Sequence, residues 1–300
     1  MAQAATTAAP GLAEFREHVR AIVRERVAPR AAAIEADGEY PWDIRELFAA
    51  QDLLALPGAA STLSVNVAIE EIARACASSA EILRLQDLGT LPIRLFGGDK
   101  QKQQWLPRCA SGEWAPAFAL GEPADATAVR DGDWWVLNGT KRDVANAGVA
   151  DLYVVFAGDA AFVVEADRPG LTITAASPKP GIRGTPAGTL QLQDVRVPGE
   201  HRLGDGPEVA RATLQRARLG AAALAVGIAQ GALDASARET SAEVAAAREL
   251  LYGACTLADN DDPALGEQSA KAQLFACELA VDVTAAAERR LRDAAQALSA

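Results

Sequence analysis

Hydrophobic positions change their period twice along the chain. Over 12–36, Phe15, Val19, Ile22, Val23 and Val27 recur at helical spacing and predict one helix. Pro41 opens a second helical stretch with Ile44, Leu47 and Phe48 on one face, since proline suits a first helical turn. A third helix is predicted over 64–76, with Val65, Ala68, Ile69 and Ile72 inward. Ser78 is placed to cap a fourth, running to Leu88. A further turn follows Pro92 and stops at Gly97-Gly98, and Asp99 is read as the cap of the next segment. Between Ala115 and Gly204 the period shortens. Strands are predicted over 134–137, 152–156, 161–164, 171–174, 189–192 and 195–197, separated by Gly and Pro. Asp131-Gly132-Asp133 reads as a turn and Asn138-Gly139 as a hairpin. Such spacing suggests a small barrel or sandwich. Helical spacing returns from Pro207: one helix over 208–240, another over 242–257, a loop at 260–263 and a last helix or pair over 265–298. Gly220, Gly227 and Gly231 fall inside the first of these, where they are read as points of close helix contact.

The pattern gives an α+β chain in three segments: an N-terminal helical bundle (12–112), a central small β-barrel or sandwich (113–205) and a C-terminal helical bundle (206–300). Composition narrows its partners. Forty acidic against 29 basic residues leave a net charge of −11, which argues against nucleic acid and against an anionic membrane surface. No apolar run reaches the length of a membrane span, and the first ten residues lack a basic region followed by an apolar one, so a cytoplasmic protein is expected. Cys76, Cys109, Cys255 and Cys277 each sit among small or apolar residues and are read as buried free thiols. With only His18 and His201, no metal site is expected.

Local strings in this order resemble the acyl-CoA dehydrogenase family across nearly the whole chain. Glu70 to Ala80 is similar to that family's third helix and the cap after it, and Leu88 to Pro107 to its fourth and fifth helices. Ser111 to Trp114 and Phe118 to Pro123 look like the entry to the family's β domain. Trp135 to Lys141 and Gly181 to Pro186 match β-domain signatures, and Arg218 to Asp234 the first long C-terminal helix. The resemblance implies FAD bound between the β domain and the C-terminal helices. It also implies a glutamate that takes the α proton of an acyl-CoA while the β hydride passes to flavin, with subunits assembled as homo- or hetero-oligomers of dehydrogenase-like chains.

Carried over position by position, it marks Phe118, Leu120, Gly121 and Asn146 as the flavin-side candidates and Arg218 as the substrate-side one. Several of the family's parts have no counterpart. Gly121 stands where a hydroxyl residue is usual, and 122–127 is too short for the Gly-Ser-Asp loop. Asp143 replaces an aromatic ring and Ala145 a threonine. The segment expected after Arg238 and the one carrying the base before Arg289 are missing, and Ala217 stands beside Arg218 where some members keep the base. Glu288 is the nearest remaining acid, though with Arg289 and Arg290 it reads as a solvated helix face before a catalytic pair. Arg183 is read as a structural loop residue, and Trp134 and Trp135 as barrel packing. Three functional readings follow. In one the chain has lost its flavin chemistry or depends on a partner for it, as a non-catalytic subunit or scaffold. In another it is an active FAD-dependent dehydrogenase of acyl thioesters. In the third it is a repurposed enzyme on the same scaffold, doing non-redox chemistry on a thioester.

Overall fold

A computed structural model of the chain describes residues 8–122, 125–175, 179–236 and 241–299. Contacts divide it into two compact units. One is formed by the described residues of Met1–Ala32, Ala60–Glu81 and Arg218–Ala300, the other by those of Ala33–Ala59 and Ile82–Ala217.

The first unit is helical. It contains α1 (Ala8–Ile22), α5 (Thr62–Ala73), most of α8 (Gly206–Ala235), α9 (Ala242–Asp259) and α10 (Leu265–Ser299). The predicted helix over 12–36 is interrupted: α1 gives way to a π turn at Val23–Val27 and a 3-10 turn at Ala28–Arg30 before α2 (Ala31–Asp37). Pro29 lacks the N–H that a continuous helix would use there. Ser61 caps α5 by accepting from Ser64 N, and the four inward residues Val65, Ala68, Ile69 and Ile72 are all buried. Gly227 and Gly231 bring α8 against α5. A Cβ at Gly227 would lie 2.3 Å from Glu70 O, and one at Gly231 2.3 Å from Arg74 O. Across this unit runs a buried charge network. Glu70 accepts from Arg248 Nε (2.6 Å) and from the Tyr252 hydroxyl, while Glu71 accepts from Arg16 Nη1 (2.6 Å) and Arg20 Nε (2.9 Å). α10 turns Ala272, Ala276 and Ala280 inward. Cys277 is one step off that stripe and is exposed, unlike Cys76, Cys109 and Cys255, so the expectation of four buried thiols holds for three.

The second unit joins helices to two sheets. Its helical part comprises α3 (Trp42–Ala50), α4 (Leu56–Ala59), the larger part of α6 (Ala77–Phe96) and α7 (Asp99–Ala110). Helix α6 runs unbroken through Pro92, so the two helices expected on either side of it are one; Ser78 lies inside its first turn and does not cap it. The cap of α7 is Gly98, whose N–H donates to Gln101 Oε1 at 2.7 Å, and Asp99 is already helical.

Sheet A orders its strands β1 (Pro116–Ala119), β4 (Leu152–Ala157), β5 (Ala160–Glu165) and β8 (Arg202–Asp205). Sheet B orders β2 (Ala126–Asp131), β3 (Trp134–Ala145), β7 (Ala187–Pro198) and β6 (Leu171–Ala175). The two sheets enclose one core around Leu137, Tyr153, Val155, Phe162, Val164, Leu190 and Val195. The other face of sheet A packs Val154, Phe156 and Val163 on Ile93 of α6 and Trp105 of α7. Strand β4 is therefore buried on both faces, which explains its unbroken apolar run.

Asn138-Gly139 is not a hairpin. It lies inside β3, where the pairing with β7 slips one residue, and the reversal falls at Gly132, between β2 and β3. A Cβ at Gly139 would sit 2.2 Å from Asp125 O, so glycine serves a close approach. The Asn138 amide exchanges two hydrogen bonds with Asp194, which stands at φ +51 in the matching bulge of β7 and merges two predicted strands into one. Of the adjacent tryptophans, Trp135 packs on Phe162, whereas Trp134 is exposed with the Arg196 guanidinium 5.5 Å above its ring.

Candidate functional site

Strand β1 and the far end of β3 run alongside one another in the second unit. At one end the Asn146 amide nitrogen donates to Pro116 O (3.2 Å), which ties the two segments together. At the other, the space a Cβ would take on Gly121 is bounded by Lys141 Cδ and Asp125 Oδ2, each at 3.0 Å. Phe118, Leu120, Gly121 and Asn146 are thus gathered along one pair of neighbouring segments. Their side chains do different things. Phe118 and Leu120 point into the core beneath sheet A, with Phe118 edge-on to Phe156 at 5.1 Å. What they offer a ligand is therefore backbone. Gly121 is exposed at φ +55, a conformation that suits glycine.

Lys141 was not singled out by sequence reasoning, yet it organises this end. It is fully buried and donates from Nζ to Glu122 O at 3.0 Å. Glu122 N in turn donates to the Asp125 carboxylate at 2.9 Å. Burial pushes the Lys141 ammonium below the usual lysine range, and the charges of Asp125 and Glu122 oppose that shift. The available signal was register: Lys141 lies four residues from the buried Leu137, on the same face of β3.

Asp143 is exposed at φ +55, in a second slip of register between Lys141 and Val144. Aspartate tolerates that left-handed backbone better than bulkier residues. Ala145 is half-buried two residues on. Asn146, at φ +63, is buried and its Oδ1 has no hydrogen-bond partner. A buried acceptor without a donor costs about 1–3 kcal/mol, so a ligand N–H reaching it would be stabilised. The N–H edge of a flavin ring is of that kind, and Gly121 presents exposed backbone to such a group. These residues fit such a group on the β side.

Arg218 and Glu288 belong to the first unit. Arg218, on α8, donates from Nη1 to Gly266 O at 3.2 Å, at the start of α10. Glu288 is exposed on α10, twenty-two residues beyond Gly266, which is about 33 Å along a helix. The two do not share a site. The expected gap after Arg238 lies outside the described residues, as does part of the short loop at 122–127. Arg183 has a structural placement: its backbone N–H donates to Glu35 Oε2 at 3.2 Å and its guanidinium lies over Gly38. Among the described residues no three His, Cys, Asp or Glu side chains gather to hold a metal, and no helix is long and apolar enough to cross a membrane.

Known proteins match this architecture. Residues 10–113 match the acyl-CoA dehydrogenase N-terminal domain and residues 118–195 the acyl-CoA dehydrogenase middle domain. A probable acyl-CoA dehydrogenase of Mycobacterium tuberculosis is 32% identical over an alignment covering 90% of this chain and 82% of that protein. The short-chain specific acyl-CoA dehydrogenase of Rattus norvegicus mitochondria is 32% identical, with coverage of 90% and 78%. The structure of butyryl-CoA dehydrogenase from Megasphaera elsdenii superimposes with a TM-score of 0.87 at 27% identity, covering 96% of this chain and 89% of that one. The alignment with the mycobacterial protein runs to 321 positions, more than the 300 residues of the chain, so the relative carries residues with no counterpart here.

Proposed function

The chain belongs to the acyl-CoA dehydrogenase family, and on that premise we propose that it is an FAD-dependent oxidoreductase acting on the CH–CH bond beside an acyl thioester. The observation that carries this reading is the extent of the match: relatives named as acyl-CoA dehydrogenases align with nine-tenths of the chain, through the β domain as well as the helices. The residues that would hold the flavin are the Leu120-Gly121 backbone and Asn146, whose unpartnered Oδ1 would accept from an N–H edge. Bound there, the flavin would supply the hydride acceptor. Lys141 holds Glu122 through its backbone oxygen, and the Glu122 N–H holds the Asp125 carboxylate. Removing the α proton needs a carboxylate base, and no glutamate of this chain is assigned that role.

A second reading is favoured by one group of observations. The flavin-side aromatic position is Asp143, the candidate acid Glu288 is far from Arg218 along α10, and the longer relatives carry residues absent here. On that reading the chain is a subunit whose chemistry is completed by a dehydrogenase-like partner. Purification of the chain alone, a visible absorption spectrum and anaerobic titration with short- and medium-chain acyl-CoA separate the two. A yellow protein that bleaches with acyl-CoA supports the first. A colourless protein that gains activity only when co-expressed with a second family member supports the second. A colourless protein inert in both settings sinks both.

A further inference from the structure

We infer that the groove between α4, α6 and α7 is a second ligand site, one that takes the carboxylate of a medium-chain fatty acid. This inference stands on the second unit alone and does not depend on the flavin reading.

The groove has a volume of about 420 Å³, within the range of small-molecule sites. Its walls are mainly apolar: Leu54 and Pro57 on one side, Leu106 and Pro107 of α7 on the other. Its floor is the face of α6 that carries Gln86, Thr90 and Arg94. The two ends differ. At the inner end Gln86 is buried and its amide nitrogen donates to both Leu54 O (3.2 Å) and Cys109 O (2.7 Å), which holds the three elements together. At the other end Arg94 donates to Pro57 O and pairs with Asp87, while Lys102 of α7 lines the groove with no ion-pair partner among the described residues. From Gln86 to Arg94 is eight residues, or about 12 Å of helix, the length of a medium-chain alkyl group.

An apolar slot with one unneutralised ammonium at its mouth selects by both properties. The tail removes its own surface and that of Leu54, Pro57 and Leu106 from water. The head places an anion beside Lys102, where the low-dielectric walls strengthen the attraction. A neutral alcohol gains only the first term, and an alkylammonium is opposed by the second. Arg94 is neutralised by its ion pair with Asp87, so Lys102 sets the charge preference.

The test is calorimetric titration of the full chain with decanoate, decanol and decyltrimethylammonium, each below its micellar concentration. Decanoate is expected to saturate one site, with decanol weaker and the cation weaker still. Lys102→Glu should weaken decanoate roughly ten-fold, the loss of one attraction and gain of one repulsion, while leaving decanol within about two-fold. Leu106→Trp, which fills the slot, should abolish binding of both. The proposal is overturned if decanoate and the cation bind equally, if Lys102→Glu leaves decanoate unchanged, or if a folded Leu106→Trp variant binds decanoate as before. Should Leu106→Trp not fold, the surface variant Lys102→Glu decides alone.

Discussion

Two glycines show how far a missing methyl group can set a helix contact. On α8, Gly227 and Gly231 are one turn apart and both face backbone oxygen atoms of the α5 region, at Glu70 and Arg74. A carbonyl on a helix cannot swing aside as a flexible side chain would, so any Cβ must push the helices apart. Gly231→Ala is therefore expected to cost about 1–3 kcal/mol through overpacking, although alanine is the better helix former by roughly 1 kcal/mol. Urea unfolding checks the sign: a variant more stable than the parent would mean the helices have room. The role of Gly227 and Gly231 was legible because each interrupts an otherwise Ala-rich helical run. Lys141 was not legible as a buried residue, because lysine is buried so seldom that its register in β3 is easily discounted. Asn138-Gly139 failed for the opposite reason. The dipeptide is a strong local turn signal, but here its permissive backbone serves a bulge, which only the partner strand β7 determines.

Elements that bury one continuous apolar face were readable, and those defined by a neighbour were not. Strands β4 and β5 announced themselves by their apolar runs. Strands β1, β2 and β8 are short or polar, and exist because sheet partners satisfy their backbones. Helix α6 passes through Pro92 because the burial of Leu91 and Ile93 beside it outweighs one lost hydrogen bond. The turn before β8 carries a titratable device of the same origin. His201 is buried, its Nδ1 lies 3.2 Å from Val163 O, and its ring meets Trp105 edge-on at 4.9 Å. Burial pushes the imidazole below the usual histidine range, with Glu165 opposing and Arg168 assisting. The neutral form is thus favoured in the folded state, while the unfolded chain protonates near its ordinary pKa of about 6.5. Stability from this group is fully present above that pH and is lost as pH falls toward the folded value, with a slope of at most about 1.4 kcal/mol per pH unit. The expected result is that His201→Phe flattens the urea midpoint of the protein between neutral and mildly acidic pH. An unchanged slope would assign it to other groups.

At the scale of the molecule, the family was readable from strings spread over the whole chain, because each string reports a helix or strand needed for folding. The site was less readable, because it is composed of positions where this chain departs from those strings. Only part of it, from Pro116 to Gly121 and from Lys141 to Asn146, is drawn together within one unit. The same contrast appears in what ties distant sequence together. Residues 16, 20, 70, 71, 248 and 252 form one network in the helical unit, though no local pattern links them. Glu70 has a side chain 3% exposed and serves both Arg248 and Tyr252. Glu17 is 66% exposed and lies 3.8 Å from Arg20. Removing one partner of a buried pair strands the other in low dielectric, whereas an exposed pair exchanges protein for water at little loss. Glu70→Ala is expected to destabilise by about 3–5 kcal/mol and Glu17→Ala by less than about 1 kcal/mol. Against a total stability of about 5–15 kcal/mol, the first change would consume a large share and lower the thermal midpoint visibly. Restoring the charge balance by combining Glu70→Ala with Arg248→Ala should recover part of the loss, since no charge is then left without its partner. Equal midpoints for Glu70→Ala and Glu17→Ala would show that the network is hydrated and does not hold the helices together.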